Sequence, residues 1–173
     1  MSHKIYSKTI ALNKDLAIIS AKFIALLGLA TFSPFFFNQS ITGVIVNAVL
    51  IITTVLIGFR SAFLVAVTPS IIAYSIGFSP SALLPMVPFI MVGNLILIFV
   101  FYFFYKKNYW LASATAAFLK FTFLFLTSRL IAVYFLPEAM ATKISVMMGA
   151  PQFFTAIGGA VVAFIFLKFI KKL

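Results

Sequence analysis

Residues 84–105 read LPMVPFIMVGNLILIFVFYFFY. From Leu95 to Tyr105 no polar residue interrupts the run and nothing alternates. A membrane β-barrel strand is about 10 residues of alternating apolar and polar side chains, so this stretch is not one. In hydrocarbon every backbone N–H and C=O must be bonded internally, and a helix does that within a single segment. At about 1.5 Å per residue the stretch reaches about 33 Å, enough to cross a hydrocarbon core of about 30 Å.

Working outward, comparable apolar runs occupy residues 16–36, 41–59, 61–78, 110–135 and 152–170. The chain therefore reads as all-α: an integral membrane bundle of six transmembrane helices forming one domain over residues 1–173. It is 64% hydrophobic and 9% charged, with a mean hydropathy of +1.22. Soluble domains carry about 25% charged residues. A soluble globule of 173 residues still exposes much of its surface and could not hide this much apolar area. The first run has lysines before it, as a signal peptide does. It is too long for an h-region, however, and another spanning segment follows, so it reads as a retained helix. Pro69 falls mid-way in helix 3, where Thr68 and Ser70 are placed to compensate for the missing N–H. Pro85 suits the first turn of helix 4, and Pro88 is positioned to bend its start.

Thirteen Lys and Arg stand against two acids, Asp15 and Glu138, for a net charge of +11. On a soluble protein such a balance would suggest nucleic acid. Here the basic residues sit at the ends of apolar runs, which reads as topology, and nucleic acid is not expected. With the N-terminus inside, Lys4, Lys8, Lys14, Arg60, Lys106, Lys107, Lys168, Lys171 and Lys172 fall on the cytoplasmic side, and Lys143 alone falls in an outer loop. The positive-inside rule thus gives N-in and C-in. Tyr105, Tyr109 and Trp110 then form an aromatic cluster at the inner interface.

The absences exclude whole classes of function. There is no cysteine, and the one histidine, His3, lies in the polar tail, so neither a metal nor a cofactor is expected. There is no phosphate-binding loop, no carboxylate pair and no Ser-His-Asp set, so the chain does not read as an enzyme.

What remains are ionisable residues inside apolar runs. Insertion scales put a Lys or Arg at a helix centre at about 2.5–3.5 kcal/mol. Lys22 and Arg129 lie near helix ends and can snorkel to headgroups. Lys120 lies about 15 Å from Trp110, too deep to do so, and needs a polar partner or a wet cavity. Asn94 stands at similar depth on helix 4, joined to helix 5 by the tight turn Lys106-Lys107-Asn108. Lys120 and Asn94 are expected to face a common polar cavity, with a simple interhelical hydrogen bond as the plainer alternative. Nine positions separate Lys120 from Arg129, which puts them on opposite faces of one helix.

Two further patterns concern surfaces. Ala17, Ala21 and Ala25, continued by Gly28, form a small-residue stripe on helix 1 that would let another helix approach closely. Ala112 with Ala116, and Gly159 with Ala163, repeat the spacing, so internal packing is the competing explanation. In the loop 136–151, Met140, Ile144, Met147 and Met148 recur at helical spacing opposite Glu138, Thr142 and Ser145. This is the pattern of a short amphipathic helix, either a lid over the outer mouth or a surface connector.

Several of these residues fall together in one familiar arrangement. Gly58-Phe59-Arg60, Thr68-Pro69, Gly77-Phe78, Pro85 and Pro88-Phe89-Ile90-Met91-Val92-Gly93-Asn94, within residues 41–107, resemble the substrate-binding S components of energy-coupling-factor (ECF) transporters. The helix count, the termini and the Ala-x-x-x-Ala spacing are also similar to that family. The first outer loop, around 38–40, is shorter than in several members. The resemblance implies a multi-pass protein of a bacterial cell membrane that captures a vitamin or related micronutrient from the outer side. Its partners would be a transmembrane coupling subunit and two cytoplasmic ATPases. Carried onto this chain, it makes Asn94, Lys120, Arg129, Glu138 and Gln152 candidates for substrate binding, with Lys120 at the pocket floor. Ala17, Ala21 and Ala25 become the coupling-subunit contact. The main alternative is a structural or assembly membrane protein with no transported ligand.

Overall fold

A computed structural model describes the backbone of residues 2–77 and 81–172, and the side chains of residues 14–77 and 84–172. The expected end of helix 3 at Phe78 and the short loop at Ser79 lie outside the described residues, as do the side chains of His3, Lys4 and Lys8.

The described chain is all-helical. Its α-helices are α1 (Ser2–Phe36), α2 (Gln39–Leu56), α3 (Phe59–Ser75), α4 (Val87–Phe104), α5 (Tyr109–Phe135), α6 (Glu138–Met147) and α7 (Ala150–Phe169), with a 3-10 helix at Ser81–Met86 before α4. Among the described residues five helical stretches are long and apolar enough to cross a membrane: Lys14–Phe36, Gln39–Leu56, Leu84–Phe104, Tyr109–Phe135 and Glu138–Phe169. The helix Phe59–Ser75 is apolar but shorter. This architecture fits a multi-pass membrane protein.

Each expected apolar run coincides with a helix, with differences at the boundaries. α2 ends at Leu56, short of residue 59, because Gly58 turns the chain there, so Phe59 already belongs to α3, which ends at Ser75. The first helix begins at Ser2, well before residue 16. No Gly or Pro interrupts the chain before Gly28, and Lys, Ala and Leu favour helix whether or not the segment is apolar. The α-helical part of the fourth begins at Val87, with Pro88 in its first turn. Pro85 lies instead in the 3-10 helix, which adapts to the close spacing of two prolines.

Turns are set locally. Asn38 and Asn108 cap α2 and α5, their side chains accepting from the amides of Ile41 and Leu111 at 3.0 Å each. Gly58 joins α2 to α3 at φ 110°, a conformation that a side chain would strain.

The helices close into a ring in the order α1, α2, α7, α5, α4, α3, and α2 also packs across it on α3 and α4. That inner position explains why α2 is buried continuously from Asn47 to Thr54. Its two threonines there stay satisfied within the helix, Thr53 and Thr54 each donating to the carbonyl four residues back at 2.7 Å. The tightest seam is between α2 and α7. A Cβ placed on Gly159 would stand 2.6 Å from Asn47 Cβ, 2.8 Å from Ala48 N and 2.9 Å from Val44 O, so the helices meet there backbone to backbone.

The three small-residue stripes separate. Ala112 and Ala116 on α5, and Gly159 and Ala163 on α7, are buried inside the bundle. Ala17, Ala21 and Ala25 face outward, exposed along α1. The aromatic cluster is present: the Tyr109 and Trp110 rings meet edge-on with centroids 5.4 Å apart, and Phe101 bridges Tyr109 to Tyr105. Trp110 is half-exposed, whereas Tyr109 turns inward and donates its hydroxyl to the Ala160 carbonyl at 2.7 Å. A buried phenol needs such an acceptor.

Candidate ligand-binding cavity

A cavity of about 550 Å³ lies within the ring, in the range of small-molecule sites, about 300–1,000 Å³. It opens toward the end of the bundle that carries α6. Every α-helix contributes to its lining, and the walls are largely apolar: Val46 from α2, Val65 from α3, Ile90 from α4 and Met147 from α6.

The polar groups concentrate at Lys120, which projects from the middle of α5 and is only 3% exposed. Its Nζ donates to Asn47 Oδ1 at 2.6 Å and to Asn94 Oδ1 at 2.8 Å. Three helices thus converge on one ammonium. An ammonium can only donate, so both amides must turn their oxygens toward it. Each hydrogen bond to a charged group contributes about 1.5–3 kcal/mol. Two of them offset the cost of about 2.5–3.5 kcal/mol for placing a lysine at this depth.

Asn94 is held from its other side as well. Pro69 has no N–H to give the Val65 carbonyl, which weakens the ladder of α3 at that turn. One residue along, the Ala66 carbonyl accepts from Asn94 Nδ2 at 3.3 Å. Neighbouring Thr68 and Ser70 were the expected compensation. The amide from the adjacent helix reaches the Ala66 carbonyl and not that of Val65, and Ser70 lines the cavity.

The candidate residues named from the sequence fall into two groups. Lys120, Asn94 and Gln152 line this cavity together, Gln152 at its mouth with Nε2 donating to the Met147 carbonyl at 3.2 Å. Arg129 and Glu138 do not line it. Arg129 is exposed on another face of α5, its guanidinium 5.1 Å from the centre of the Phe125 ring. It borders a separate groove of about 690 Å³ between the end of α5 and the α6–α7 corner. Glu138 is exposed at the start of α6. Asn47 was not among the candidates. Its signal was available, an amide eight positions into α2, within the apolar stretch between Thr42 and Thr53, at a depth similar to that of Asn94.

α6 is amphipathic as the spacing suggested, except that Met140, expected on the apolar face, is exposed. Ile144 and Met148 are buried against Met86 and Leu124, while Glu138 and Thr142 face outward. Val146, Met147 and Met148 also line the cavity, so α6 roofs it. Among the described residues no cluster of His, Cys, Asp or Glu could hold a metal ion. Comparison of the chain with protein-family models, curated proteins and solved structures gave no match.

Proposed function

We propose that this protein is the substrate-capture subunit of an ECF-type importer, taking a small organic micronutrient into the central cavity from outside a bacterial cell. The observation that carries this reading is a deep polar knot, Lys120 with Asn47 and Asn94, at the floor of an apolar cavity roofed by a short amphipathic helix. The chain then crosses the membrane six times, α3 included, with both ends in the cytoplasm and α6 on the outer face. Nine of the thirteen basic residues support that orientation.

Partners follow from the same reading. A chain with no phosphate-binding loop draws its energy from elsewhere, here from a transmembrane coupling subunit and two cytoplasmic ATPases. The outward-facing Ala17, Ala21 and Ala25 are the docking stripe, since small side chains let a partner helix approach closely. One observation favours a second reading, a structural membrane protein: both hydrogen bonds that Lys120 makes are internal, so the ammonium is held in place without a ligand.

Two experiments separate these. The chain has no cysteine, so single cysteines report topology directly. Cysteine at Lys143 should react with an impermeant maleimide on intact cells, and cysteine at Lys171 only after permeabilisation. The reverse pattern would overturn the orientation. Ala21→Trp should reduce co-purification with a coupling subunit at least tenfold while leaving the melting midpoint and bound solute unchanged. Full association by Ala21→Trp would remove α1 as the docking surface.

A further inference from the structure

The cavity floor offers hydrogen-bond donors and positive charge, and nothing negative. Of the three N–H groups on Lys120, two are used by Asn47 and Asn94, leaving one. Asn94 Nδ2 is taken up by the Ala66 carbonyl. Asn47 Nδ2, turned away from the ammonium by the same constraint, meets no acceptor among the described residues. Two donors on touching side chains therefore remain free at one spot.

The charge balance points the same way. No carboxylate lines the cavity. The chain's two acids, Asp15 and Glu138, are both exposed and outside it. The mouth adds to the positive field, because the first turns of α2, α4 and α7, at Gln39, Val87 and Pro151, all border the cavity. Helix N-termini carry a partial positive charge of about half a unit each. A cation would be repelled at every level. A phosphate dianion would bring two charges to a floor with one. A single carboxylate matches the single ammonium, and its two oxygens match the two free donors.

Resting on the reading of this cavity as a capture site, we infer that its ligand is a small monocarboxylic acid. The carboxylate accepts from Lys120 Nζ and Asn47 Nδ2 at the floor. The apolar body of the acid lies against Val46, Val65 and Ile90, and Gln152 stands at the mouth for any polar group at the far end.

The test is mass spectrometry of the compound retained by the purified full-length protein, before and after methylation with diazomethane. The expected result is a compound that gains one methyl ester. Two variants locate it. Lys120→Met removes the charge. Asn47→Asp places a carboxylate inside the knot, pairing Lys120 internally and taking away the free amide. Both should retain the compound at least tenfold less than the parent, with melting midpoints showing that the bundle is folded. Asn47→Asp retaining it fully would overturn the inference, as would a compound that gains no ester, or that is a cation or a phosphate ester. Those outcomes leave the capture reading standing. A parent protein that carries no compound at all would sink the capture reading, and this inference with it.

Discussion

Gly159→Ala lowers the melting midpoint of the detergent-solubilised protein by several degrees, whereas Gly28→Ala leaves it level or raises it. Both exchange a helical glycine for the best helix former, which on propensity alone favours alanine by about 0.5–1 kcal/mol. Packing decides the difference. At Gly28 an added Cβ meets nothing within 4 Å. At Gly159 it meets Asn47 Cβ at 2.6 Å and two backbone atoms of α2 within 2.9 Å. Backbone cannot rotate aside as a side chain does, so α2 and α7 must separate. Overpacking of this kind costs about 1–3 kcal/mol, and the strain falls on the residue that holds Lys120. Equal midpoints for the two variants would mean that the α2–α7 seam has slack the structure does not suggest.

The second large effect is an asymmetry within the polar knot. Asn94→Leu removes one of two acceptors from a buried ammonium and the donor to the Ala66 carbonyl. Losing a hydrogen bond to a charged group costs about 1.5–3 kcal/mol, and the neutral one about 0.5–1.5 kcal/mol more. Lys120→Met in the same background removes the charge that was left stranded, and replacing buried ions with apolar groups of similar shape is often neutral or stabilising. The double variant should therefore be more stable than Asn94→Leu alone. A double-mutant cycle on unfolding midpoints measures this coupling. Strict additivity would mean that Lys120 and Asn94 act independently, and the knot would lose its meaning as a unit.

Most of the architecture was legible from hydropathy because lipid imposes a length and a secondary structure on any chain within it. The part of α1 before residue 16 was not, since a helix outside the apolar run leaves no hydropathy signal. Lys120 stood out because a charge at mid-depth is expensive. Asn94 was found by sharing that depth with it across one tight turn. Asn47 lies on a helix that neighbours α5 neither in sequence nor across a short turn, and only the packing of α2 across the ring brings it within 2.6 Å of the ammonium. Arg129 and Glu138 entered through the resemblance. The place of Arg129 outside the cavity agrees with the helical arithmetic that put it on the face opposite Lys120. The spacing of Ile144 and Met148 foretold α6, but what lies beneath a roof is a property of the whole ring and of no single segment.

The backbone seam at Gly159 also has a mechanical side. Interdigitated side chains can re-rotamer and let helices slide, but a backbone contact has no such give, so α2 and α7 travel as one rigid plate. Asn47 rides on that plate. At the mouth, α6 packs on its neighbours through apolar side-chain contacts of Met86, Leu124, Ile144 and Met148. It is joined to α5 through Leu136 and Pro137 and to α7 through Met148 and Gly149. On the capture reading proposed above, α6, ten residues on two short joints, is the segment that has to give way for a ligand to pass, on the scale of about microseconds to milliseconds usual for such lids.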